Sequence, residues 1–349
     1  MQLGVSLGYW TSAGADDQVA LAVEADRLGY DVAWAAEAYG SDAATVLAWI
    51  GARTARIGLG SAVFQIPART PAMTAMTAAT LDALSGGRFR LGLGVSGPQV
   101  SEGWHGVAFA DPLGRTREYV EIVRAVLARE NVAYAGKHFT LPLPGGAGKS
   151  LRLTLRPQRT HLPLYLAAVG PRNLELAGQI ADGWLAIFFA PEHAEAALAP
   201  VRKGRAAAGR TVDDFEVVPT VPVVIGPDVD RCADEVRAYT ALYIGGMGSR
   251  EQNFYNRQAV RMGYGDAARA VQDAYLDGRP RDAAALLPVE LLDRTALLGP
   301  VERIRDRLAA YADAGVTTLT VDPRGRTSEE RVATLRMIAD VVEQAGLRT

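Results

Sequence analysis

The stretch SGPQVSEGWH, residues 96–105, sets several chemically capable groups within ten positions. Ser96, Gly97 and Pro98 offer a hydroxyl, free backbone amides and a rigid corner. Glu102, Trp104 and His105 add an acid, an aromatic face and a titratable base. An imidazole there is suited to general acid or base work. The preceding residues read as a helix end, a tight turn at Ser85-Gly86-Gly87 and a strand from Phe89 to Val95. Glycines inside that strand mark places where something bulky lies close to the backbone. The whole stretch reads as one wall of a cofactor site. The competing readings are a plain turn for Ser96 to Pro98 and a structural histidine beside Trp104.

Three further groups could join that chemistry. Glu37 follows the apolar run Val32 to Ala36. A carboxylate in such surroundings can have a raised pKa and act as proton donor or base; otherwise it is a surface or helix-pairing acid. Gly170-Pro171-Arg172-Asn173 stands between a strand and a helix. Amides at a helix start attract anions, although proline at the first turn also serves simple helix initiation. Tyr9, Trp10, Trp104 and the segment Met247 to Tyr255 are candidates for the substrate side, with ordinary packing as the alternative. The glycines of Gly245-Gly246-Met247-Gly248 make that loop a candidate lid.

Composition removes several classes. The 349 residues carry 37 Lys plus Arg against 39 Asp plus Glu, a formal net charge of −2, with no dense basic run, so no nucleic-acid partner is expected. A lone cysteine, Cys232, excludes an internal disulfide framework and fits a reducing compartment. The four histidines are scattered without a metal-ligand spacing, so no metal is expected. There is neither a basic start followed by an apolar run nor an apolar stretch of about 20 residues. The expectation is a cytoplasmic protein without membrane contact.

The chemistry needs a frame, and the periodicity supplies one. Strands at Gln2–Leu7, Asp31–Ala36, Arg56–Val63 and Phe89–Val95 alternate with helical patterns, as in a parallel sheet. An excursion near 131–160 surrounds the loop LPLPGGAGKS, which lacks the spacing of a phosphate loop. Strands follow at Leu164–Val169, Gly183–Phe188 and Phe215–Val224, the last interrupted by Pro219 and Pro222. A mostly helical excursion fills 228–298, and Thr317–Val321 is the final strand. The pattern predicts an α/β protein, a (β/α)8 TIM barrel with two insertions, over residues 1–349 as one domain.

The segments YDVAWAAEAYGSDAATVLAWI, RTPAMTAMTAATLDALSGGRFRLGLGVSGPQVSEGWHG, PLYLAAVGPRNLELAGQIADGW and YIGGMGSREQNFYN resemble the bacterial luciferase-like superfamily. Within it the chain is similar to oxidoreductases that use the deazaflavin coenzyme F420. The resemblance implies a cofactor across the C-terminal mouth, its ring near the ends of the early strands and its phosphate after the fifth. It implies a bulge with a non-prolyl cis peptide, placed by position at Ala62–Val63. It gives Ser96, Gly97 and Pro98 the polar edge of the deazaflavin, and Gly170, Pro171, Arg172 and Asn173 its phosphate or acidic tail. The implied reaction is hydride transfer between F420 and a small organic substrate, with Glu37 or His105 moving the matching proton. The alternatives are an FMN-dependent monooxygenase using dioxygen and a non-catalytic flavin-binding barrel. Homodimers are common in the superfamily, so a homodimer is expected.

Overall fold

Eight parallel strands close on themselves: β1 (Gln2–Ser6), β2 (Val32–Ala35), β3 (Gly58–Ser61), β4 (Phe89–Gly94), β5 (Leu164–Ala167), β6 (Gly183–Ile187), β7 (Glu216–Ile225) and β8 (Thr318–Pro323). Each pairs with the next, and β8 returns to β1 through Gln2↔Thr318 to Val5↔Val321. The computed structural model describes residues 1–9 and 15–348. The seventh strand is continuous through both of its prolines, with Pro219 opposite Ala186 and Pro222 opposite Asp322. The apolar flanks Val217, Val218, Val221 and Val223 are buried and hold that backbone extended.

Helices cover the barrel where capping residues start them. Asp42 accepts from the Thr45 amide at 2.7 Å to open α2 (Ala43–Gly51). Thr70 accepts from the Met73 amide, with Pro71 at the first turn, to open α3 (Pro71–Leu84). These two helices share an unusual outer face. Trp49, Met73, Met76 and Leu84 are all exposed. The only charged residue within either helix is Asp82, which is fully buried.

Inside the barrel, Trp34 and Tyr165 meet edge to face at 5.4 Å between ring centroids. Gly60 leaves room for the indole, since a Cβ there would overlap it. The first excursion forms a two-stranded hairpin, Tyr134–Ala135 with Thr140–Leu141, while Leu151 to Leu155 stays outside any ladder. The second excursion builds α8 (Val229–Ala241), α9 (Phe254–Arg261), α10 (Gly265–Leu276) and two short helices. It has its own apolar core, including Val236, Ile244, Val271, Leu291 and Leu292, separate from the main core.

Candidate active site

The C-terminal mouth is shaped first by a break in the β3–β4 pairing. Gly60 stands opposite Arg90, and Phe64 opposite Leu93. Four steps on one strand match three on the other, so one extra residue bulges out between Ser61 and Phe64. Within the bulge, the Ala62–Val63 peptide is cis, at the expected position. Where ladder bonds are lost, Ser61 substitutes its side chain: Oγ donates to Gly92 O (2.8 Å) and accepts from Gly92 N (2.9 Å). Gly92 and Gly94 are the close-approach glycines. A Cβ at Gly92 would overlap the Ser61 carbonyl, and one at Gly94 would overlap the Val63 side chain.

The fourth strand leads into the Ser96 corner. Ser96 adopts φ of 61°, a left-handed conformation uncommon for a residue other than glycine. Gly97 then caps α4 (Pro98–Gly103), with Pro98 at its first turn. The Ser96 hydroxyl donates to Gln65 Oε1 at 3.0 Å. With its proton committed to Gln65, the Ser96 hydroxyl keeps its oxygen lone pairs for a ligand. Glu102 accepts from the Phe109 amide and closes the loop after α4. Trp104 is 65% exposed, which turns its ring mainly to solvent rather than into a pocket. His105 is half-buried, and its Nε2 is shielded from solvent without a hydrogen-bond partner.

Glu37 does not sit in the apolar surroundings expected of a proton donor. Arg69 donates to both of its carboxylate oxygens, at 2.5 and 2.9 Å, and the Ala43 amide donates at 3.1 Å. The Arg69 guanidinium also pairs with Asp42 and lies 4.6 Å from the Phe64 ring centroid. Glu37 therefore fastens the β2 loop to α2 and to the segment before α3. Its carboxylate is thus ion-paired and hydrogen-bonded by fixed donors.

After β5, Gly170 caps α6 (Pro171–Ile180), with Pro171 at the first turn. Arg172 is exposed and makes no hydrogen bond or ion pair among the described residues. The Asn173 side chain turns back to the Ala167 carbonyl at 3.4 Å. The helix start and the exposed Arg172 within its first turn supply groups suited to an anion.

An aromatic roof stands over β6, built from residues that no spacing in the sequence groups together. Phe188 contacts Tyr239, Tyr243 and Tyr255, with ring centroids 5.6–6.2 Å apart. Tyr243 packs on Tyr239 at 4.8 Å and on Tyr255 at 4.9 Å. Arg324 lies 4.3 Å from the Tyr239 ring centroid, which ties the roof to the end of β8. Beside it, a cleft of about 220 Å³ opens at the C-terminal ends of β1 and β8, lined partly by Tyr9, Gln18, Asp322 and Arg324. Trp10 lies outside the described residues.

Met247 is half-buried in the segment that links this roof together. Two of its glycines pack closely against α10. A Cβ at Gly245 would crowd the Tyr275 side chain, and one at Gly246 would overlap it. Asn253 donates to both the Tyr243 and Ile244 carbonyls at 3.0 Å. These contacts hold the candidate lid segment against α10 and the start of α9.

Burial raises the pKa of Tyr239 and Tyr243 well above the ordinary value and pushes Tyr255 up to about 12. A raised folded-state pKa gives stability that is complete below the unfolded value, near 10, and declines as pH rises through the folded value. Phenolate absorbance on alkaline titration is therefore expected to show a late group of tyrosines, ionising only as the roof opens above about pH 10. A single ordinary titration by all 12 tyrosines, with the fold intact, would contradict this packing.

Among the described residues no cluster could hold a metal ion, and no helix is long and apolar enough to cross a membrane. Comparison with known proteins places this site in context. A protein of Mycobacterium tuberculosis named for coenzyme F420-dependent oxidoreduction is 45% identical over 328 residues, 92% of this chain and 94% of its own. A 5,10-methylenetetrahydromethanopterin reductase of Archaeoglobus fulgidus is 28% identical, covering 84% and 85% of the two chains. The solved coenzyme F420-dependent tetrahydromethanopterin reductase of Methanopyrus kandleri superposes with a TM-score of 0.82 at 24% identity, covering 98% of each chain, and shares the fold. The family model for luciferase-like monooxygenase matches residues 2–318, and on that match, together with the 45% relative, the chain belongs to this family.

Proposed function

We propose that this enzyme transfers a hydride between coenzyme F420 and a small organic molecule at the C-terminal mouth of the barrel. The observation that carries the reading is the 45% identity, along nearly the whole chain, to a relative named for F420 dependence. The mouth fits such a group. The bulge at Ala62 and Val63, the corner at Ser96, Gly97 and Pro98, and the anion-suited start of α6 at Gly170, Pro171, Arg172 and Asn173 would hold it. When bound, the deazaflavin supplies the hydride chemistry.

The chain's own residues bind, orient and handle the proton. His105, with Nε2 shielded and unpartnered, is the better candidate for proton transfer, because Glu37 is taken up by Arg69. Tyr9, Met247 and the roof aromatics are available to the substrate side, with the exposed Trp104 further out. The relative from Archaeoglobus named for a pterin substrate supports a small-molecule substrate here. We place the protein in the cytoplasm, in keeping with its single buried cysteine.

Titration of the purified protein with F420 and, in parallel, with FMN tests the reading. Selective F420 binding is expected, and Arg172→Glu should weaken it by about tenfold, the size of one charge-assisted contact. Unchanged affinity in that variant would remove Arg172 from the site. Selective FMN binding with oxygen uptake would instead favour the monooxygenase chemistry for which the family is described.

We also place a second copy of the chain on the outer face of α2 and α3, where Trp49, Met73, Met76 and Leu84 are exposed and the Arg53 guanidinium lies over the Trp49 ring. Twice the chain mass in solution is expected, falling to one chain mass in Met76→Glu. A wild-type monomer would refute the placement.

A further inference from the structure

We infer that Gln65 is a positioning residue that sets the cofactor corner at Ser96, an inference that rests on the reading of that corner as part of the F420 site. Gln65 is 3% exposed and lies just beyond the bulge, opposite Gly94. Its amide is used from both ends. Nε2 donates to the Ala38 carbonyl at 2.7 Å, in the loop after β2. Oε1 accepts from the Ser96 hydroxyl at 3.0 Å, after β4. One side chain on the β3 extension therefore ties together the mouths of three successive strands.

The chemistry needs an amide at this position. The Ala38 carbonyl requires a donor and the Ser96 hydroxyl proton requires an acceptor, and a glutamine provides both on one rigid plane. A glutamate would set a lone pair against the Ala38 carbonyl. The tie bears on Ser96 in particular, because Ser96 holds a left-handed φ that its side chain does not favour. That conformation directs the chain into Gly97 and Pro98 and aims the start of α4. Without Gln65, Ser96 is free to return to a negative φ, and the amides that face the cofactor turn with it.

The test is a double-mutant cycle on F420 affinity, using Gln65→Met, Ser96→Gly and the double variant, with Tm measured alongside. Methionine conserves the volume of the buried side chain, and glycine accepts a left-handed φ without help. Gln65→Met is expected to weaken F420 binding about tenfold in the wild-type background and less than twofold in the Ser96→Gly background. An equal loss in both backgrounds would overturn the inference, because Gln65 would then act independently of Ser96. So would undiminished binding in Gln65→Met, or a loss of affinity that only follows a loss of Tm. Failure of the wild-type protein to bind F420 would instead refute the cofactor reading itself.

Discussion

Replacing Arg69 with methionine is expected to cost the fold about 3–5 kcal/mol, the penalty for leaving a buried carboxylate without its partner. The Glu37 side chain is only 6% exposed, and Arg69 supplies two of the three donors that satisfy it. Methionine keeps an apolar stem of similar length but leaves the Ala43 amide as the remaining donor. The expected result is a Tm lowered by roughly 6–10 °C, taking about 2 °C per kcal/mol for a large domain. Glu37→Gln keeps the shape and should cost far less. If Glu37 only positions the mouth, turnover in Glu37→Gln stays near the wild-type value once the protein is folded. A collapse of turnover with unchanged Tm and cofactor affinity would restore Glu37 as the proton donor. A Tm in Arg69→Met within about a degree of wild type would show that the pair contributes as little as a surface salt bridge.

Gly92→Ala is expected to be the most damaging single-methyl change in the barrel wall. The added carbon would overlap the Ser61 carbonyl and press on the Leu185 methyl. The Ser61 carbonyl cannot withdraw easily, because the Ser61 hydroxyl is bonded to both the amide and the carbonyl of Gly92. Overpacking of this kind costs about 1–3 kcal/mol, and here backbone is the obstacle, which favours the upper end. The displaced residue is the last before Ala62, so loss of stability should come with weakened F420 binding. Gly103→Ala is the control, since a Cβ there meets nothing within 4 Å. Denaturant midpoints for the two variants measure the difference. Equal midpoints would mean that the bulge is looser than its hydrogen bonds indicate.

The sequence made the frame legible because apolar runs of four to six residues recurred between helical patterns, and the closed barrel puts each run into a strand. The glycines of β4 were legible for the same reason: a strand tolerates them poorly unless something approaches. Glu37 misled because the apolar run before it says nothing about Arg69, which lies far along the chain and arrives beside it only through the fold. Gln65 carries one signal in the sequence, a lone amide inside the apolar run Ala62-Val63-Phe64-Gln65-Ile66. A polar side chain in such a run must find buried partners. The roof was illegible for a different reason. Phe188 comes from the end of a barrel strand, whereas Tyr239, Tyr243 and Tyr255 come from an excursion whose path no periodicity reveals.

That excursion, with its own apolar core, has a consequence for how the protein opens. Hydrophobic clusters that do not merge can lose their order separately, each with its own free energy. The segment from Val229 to Arg294 closes around Val236, Ile244, Val271 and Leu292, while the strands close around Leu3, Leu59, Leu91 and Leu319. Amide hydrogens in the excursion can therefore exchange through subglobal openings that leave the strands protected. Such a unit can also accumulate substitutions that alter substrate range while the walls beneath it keep the same cofactor geometry.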